Sequence, residues 1–224
     1  MLDYDIISFD EKVNDLLSDF DKPYHYASPD PSVDIFKIAK GHGLKKWRFI
    51  SSEQKLVFFD GDGTISYDSI RDKHAVILVD GTIAIHEKDR QNEGQYRFNI
   101  ANELAHVLLG HFKLPAKKDI DKFKKKHKLS YETDLVVAAR YETNFGPNNR
   151  KEEEDADHFA VNLLVPIYRF QFWEDKTDEE IAKAFKVDVK CIKKRRNEIR
   201  DELNEITAAM KLCSIQETVP STKS

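Results

Sequence analysis

Apolar residues recur at two spacings along this chain. Between 47 and 85 they alternate or cluster in short β-branched and aromatic runs, and over 33–40 and after residue 94 they recur every three or four positions. The first spacing predicts strands and the second predicts amphipathic helices. A short acidic helix is expected near 10–20. The loop after it, over 21–32, holds three of the seven prolines. Val33, Phe36 and Ala39 predict a helix over 33–40, stopped by the glycines Gly41 and Gly43. Runs at 47–50, 55–59, 74–79 and 82–85 predict a small, largely antiparallel sheet, with turn signals at Asp60-Gly61-Asp62-Gly63 and Asp80-Gly81.

Helices are predicted over 96–110, 116–128, 133–141 and 149–164, the last ended by Pro166. Thr177 and Glu180 have the spacing of a capping box, and a basic helix over 189–199 follows a short turn. Beyond Lys211 a frayed end is expected. Strands followed by helices make this an α+β chain. It divides into an N-terminal helix and linker (1–32), a central domain (33–170) and a helical tail with a helix-turn-helix rhythm (171–224).

Composition narrows the class. Of 224 residues 40% are hydrophobic, enough for a core, and Lys+Arg 36 against Asp+Glu 40 gives a net charge of −4. That balance argues against a globally basic nucleic-acid binder, though Lys193, Lys194, Arg195 and Arg196 could still touch phosphates. The more economical account of those four is a solvated helix face. The seven lysines of 117–128 read the same way, as an exposed helix or lid. No apolar run approaches the about 20 residues of a membrane span, and the first ten residues, with three Asp and no Lys, lead us to expect no secretory signal. Cys191 and Cys213 lack metal or redox spacing, so a reducing, cytoplasmic setting is expected. Asp60–Gly63 has part of a calcium loop's composition but reads as a plain turn.

The chemistry concentrates in two segments. In the first, Arg97-Phe98 leads to Asn102-Glu103-Leu104-Ala105-His106 and then Leu108-Leu109-Gly110-His111. Residues 102 and 106 lie about 40° apart on a helix, with Glu103 beside them. That is the layout of the zinc motif H-E-x-x-H, where two histidines hold the metal and the glutamate is the base. Here the first position is Asn102. In the second segment, Glu153 and Asp157 share a helix face four residues apart, and Ala156, Phe159, Ala160, Leu163 and Leu164 supply its apolar side. Glu153 could be a metal ligand and Asp157 a carboxylate that orients one.

Together these segments resemble the ImmA/IrrE family of metallopeptidases. Its pattern runs R-F-x-x-A-H-E-L-G-H-x-L-L, then E-x-E-A-x-x-F-A-x-x-L-L-M-P, in that order, and the resemblance spans about 33–200. It implies a zincin-like domain, a zinc site built from two histidines and a glutamate, and XRE-type transcriptional repressors as substrates. Mapped onto this chain, Glu103 is the catalytic base and His106 and Glu153 are zinc ligands. Asn102 stands at the third ligand position, weak or lost, with Asp157 behind it. Ala105 and Asp155 also depart from the pattern. An amide oxygen is a poor zinc donor beside imidazole. Three accounts of Asn102 follow: a pseudoenzyme, an introduced inactivating change, or rescue by another histidine. His111 and His158 are the candidates, each five residues from a ligand position and so about 140° around a helix from it. The function classes are accordingly an impaired peptidase, an inactive antirepressor, antitoxin-like or sensor protein that works by binding, and a helix-turn-helix DNA-binding regulator.

Overall fold

A computed structural model describes residues 6–20, 30–59, 65–69, 74–111, 117–130, 135–136 and 147–216. Helices α1 (Ile6–Phe20) and α2 (Ile35–Gly41) precede strands β1 (Lys46–Ile50), β2 (Lys55–Phe59), β3 (Ile65–Ser69), β4 (Ala75–Ile77) and β5 (Thr82–His86). Then come α3 (Glu93–Leu108), α4 (Lys117–His127), β6 (Leu135–Val136), α5 (Pro147–Leu164), α6 (Ile167–Phe170), α7 (Asp178–Phe185) and α8 (Val189–Gln216).

The fold is α+β, but the strands form two mixed sheets rather than one largely antiparallel sheet. One has the order β1-β5-β4 and the other β3-β2-β6. β1 runs parallel to β5 and β2 parallel to β6, while β4–β5 and β2–β3 are antiparallel. Residues 135–136, expected within a helix, are the strand that pairs with Leu56 and Val57. Their conformation is set by a partner some eighty positions away, which local periodicity cannot report. The Asp60–Gly63 turn lies outside the described residues.

Alternation along β4 and β5 divides the apolar residues between two cores. Ile77, Ile83 and Ile85 join the helices in the main core, whereas Val76 and Ala84 pack with Ile50, Leu56 and Leu78. The main core also takes Phe9, Val13 and Leu17 from α1 and Ile181, Phe185 and Ile192 from α7 and α8. One cluster therefore draws on all three stretches into which the sequence divides. Each such side chain contributes about 1.5–3 kcal/mol on burial.

Local signals place the two helices that matter most. Asn92 caps α3 by accepting from the Gln95 N–H. Gly94, in the first turn, lets α3 meet the α7–α8 turn: a Cβ there would lie 2.5 Å from the Asp188 nitrogen. The capping box is formed, with Thr177 accepting from the Glu180 N–H and the Glu180 carboxylate accepting from the Thr177 N–H.

Candidate active site

α3 and α5 pack against each other through Ile100, Ala101, Leu104 and Ala105 on one side and Ala156, Phe159 and Ala160 on the other. On the flank of this contact sit the two pairs found by spacing. The Asn102 Nδ2–H donates to Asp157 Oδ1 at 2.9 Å, and His106 Nε2 lies 3.4 Å from Glu153 Oε2. Residue 102 meets 157 and 106 meets 153, the register of antiparallel helices. Four residues on one helix are matched by four on the other, so both pairs lie on one side of the α3–α5 contact.

His106 is wholly buried, and Glu153 is 47% exposed. The second nitrogen of His106 is also occupied: Nδ1 lies 2.9 Å from His111 Nδ1, the rings meeting edge-on at 65°. The helical extrapolation that sends His111 away from His106 is corrected here. α3 ends at Leu108, Gly110 takes a left-handed φ of +76°, and the His111 N–H donates back to the His106 carbonyl at 2.9 Å. This 6→1 closure of a helix end folds the His111 ring over the last turn. Gly110 beside a histidine was the signal in the sequence. His158 behaves as expected and faces away from the cleft, toward Glu198 of α8 at 2.8 Å.

Glu103 is buried, next to the 102–106 pair. From α8, Lys194 Nζ reaches within 3.6 Å of Asp157 Oδ2. The basic quartet is thus divided, and as a nucleic-acid surface it needs correction. Arg195 is 0% exposed, donating from Nη2 to Asp10 at 2.6 Å and from Nε to the Val165 carbonyl at 3.1 Å. Arg196 is held by Asp178 and the Lys176 carbonyl, and Lys194 leans on Asp157. Lys193 is exposed.

A catalytic zinc takes three protein ligands and keeps one open position. His106 and Glu153 supply two. The Asn102 amide nitrogen is committed to Asp157, and both nitrogens of His106 have side-chain partners. Among the described residues no group of three or more His, Cys, Asp and Glu is arranged to hold a metal ion. Among the described residues, His106, Glu153 and Asn102 do not complete a three-ligand zinc site.

An α+β fold with a buried glutamate and histidine on one helix, facing a glutamate on an antiparallel helix, is the frame of a zinc-metallopeptidase-like protein. The chain belongs to the family defined by the IrrE N-terminal-like domain, Peptidase M78, whose sequence model matches residues 57–197. The match begins in β2, later than the start of the resemblance near residue 33. No curated protein matches the chain. Among the described residues no helix is long and apolar enough to cross a membrane.

Proposed function

We propose that this chain is a cytoplasmic IrrE-type protein that engages an XRE-type transcriptional repressor through the α3–α5 cleft, with weak or no hydrolysis of it. The observation that supports the reading is the 2.9 Å bond from Asn102 to Asp157. It ties the third ligand position to the carboxylate that would otherwise orient a histidine there. Glu103 keeps the position of the base, and His106 and Glu153 keep two donor positions. A zinc ion bound by two good ligands and an amide is held weakly. On this reading the α3–α5 face keeps a peptidase's residue plan and has a binder's task.

The test compares the purified chain with Asn102→His, measuring bound zinc and cleavage of an XRE-type repressor incubated with each. The expected result is repressor binding by both forms, far less than one zinc per chain in the parent, and a clear gain of zinc in Asn102→His. Near-stoichiometric zinc in the parent, with repressor cleavage abolished by Glu103→Gln, would overturn the reading.

A further inference from the structure

The Asp157 carboxylate meets a different helix with each of its oxygens. Oδ1 accepts from Asn102 Nδ2 of α3 at 2.9 Å, and Oδ2 lies 3.6 Å from Lys194 Nζ of α8. The ammonium is placed there by buried contacts on both sides of it in the sequence. Ile192, two residues before, sits in the main core. Arg195, the next residue, turns inward and donates to the Val165 carbonyl, just past the end of α5, at 3.1 Å. One turn further on, Glu198 meets His158, the residue after Asp157, at 2.8 Å. α8 is thus pinned to α5 around residue 194, and the position of Lys194 beside Asp157 follows from the core rather than from solvent.

That contact bears on what a histidine at 102 could do. A carboxylate that accepts the free ring N–H of a metal-binding histidine makes the imidazole a better donor, and losing such a partner costs about 10–100-fold in metal affinity. The benefit comes from the negative charge of the carboxylate. Lys194 offsets that charge, and its own charge repels a dication at the neighbouring position. The Lys194 and Asp157 side chains are 34% and 46% exposed, so both effects act through partly screened charges and are modest.

We infer that Lys194 is a positioning residue that works against metal: a fixed ammonium on Asp157 that lowers the zinc affinity of the α3–α5 face separately from Asn102. The inference rests on the reading of Asn102 as a lost ligand, and it adds a second determinant on a different helix. Restoring histidine at 102 then recovers only part of the zinc affinity that the face can reach. The rest is recovered by removing the charge at 194.

The experiment measures the zinc Kd of the full chain by competition with a chromophoric chelator, at about 0.05 M and about 0.5 M salt. Asn102→His is compared with the double variants Asn102→His/Lys194→Gln and Asn102→His/Lys194→Arg. Glutamine keeps an N–H for Asp157 and drops the charge, whereas arginine keeps the charge. At low salt the glutamine variant is expected to bind zinc at least about threefold more tightly than Asn102→His, and the arginine variant is expected to match Asn102→His. The gap is expected to narrow at high salt. Urea midpoints check that each variant is folded, and Lys194→Met repeats the loss of charge if the glutamine variant is not. Equal affinity with lysine and with glutamine at 194, or equal tightening by glutamine and arginine, overturns the role of Lys194 and leaves the reading of Asn102 intact. Tight zinc binding by the parent removes that reading instead, and the comparison among the histidine variants still decides for or against Lys194.

Discussion

Helix α5 has two polar faces, and they are built to different rules. Toward α3 it presents Glu153 and Asp157, half-exposed carboxylates that each meet one polar side chain of α3. Toward α8 it presents His158 and Asn162, which meet a buried set. Glu198, 5% exposed, takes His158 at 2.8 Å and lies 3.7 Å from Arg195, which in turn holds Asp10 of α1. Burial pushes the Asp10 carboxyl up even with Arg195 beside it. The α8 face joins its helices through buried charges, whereas the α3 face joins α3 and α5, with Lys194 of α8 alongside, through half-exposed carboxylates. Burial of charge marks the place where the fold is held, and partial exposure of charge marks the place where a ligand has room.

The largest expected effect tests the α8 face. Arg195→Met leaves Asp10 and Glu198 in the interior without their shared cation and is expected to cost about 3–5 kcal/mol of stability, read by urea denaturation. Glu198→Ala leaves Arg195 its bond to Asp10 and frees His158, so a smaller loss of about 1.5–3 kcal/mol is expected in the same assay. On the α3 face, Asn102→Ala removes one hydrogen bond to a half-exposed carboxylate that keeps Lys194 nearby, and about 1 kcal/mol is expected. Were Asn102→Ala to cost as much as Arg195→Met, the two faces would be structurally equal and the contrast would fail.

A fourth prediction, the smallest, concerns the exposed strap between the N-terminal stretch and the tail. Burial acts to raise the Asp30 pKa, but hydrogen bonds from Lys186 and Ser32 prevail and carry it from 3.8 to about 2. A folded pKa below the unfolded one means that the ionised carboxylate favours the fold. That contribution is present above about pH 4 and is lost as the pH falls toward 2. Both partners are half-exposed, so solvent screening keeps the effect under about 1 kcal/mol. Lys186→Met is expected to lower the urea midpoint slightly at pH 5 and 7 and to match the parent near pH 2.

The sequence was most legible where contacts are local. α3, α5 and the capping box follow from spacing and end residues, and the two i, i+4 pairs followed from α3 and α5. Pairing between strands was not legible: β3, a polar Ile-Ser-Tyr-Asp-Ser run, is a strand because β2 lies beside it. His111 escaped because an ideal helix was extended past a glycine that ends it. Arg195 did leave a trace. It lies on the stripe of Cys191, Ile192 and Ile199, the buried or half-buried side of α8, and a helical wheel separates it from Lys193.

The bond between Asn102 and Asp157 also has a genetic meaning. Asparagine and histidine codons differ only in the first base, so one transversion converts residue 102 into an imidazole. The carboxylate that accepts the Asn102 amide proton stands where such an imidazole could donate its own ring proton. Gain or loss of the first motif histidine would then need no compensating change in α5, and lineages of this fold could move between the two forms by a single base substitution in either direction.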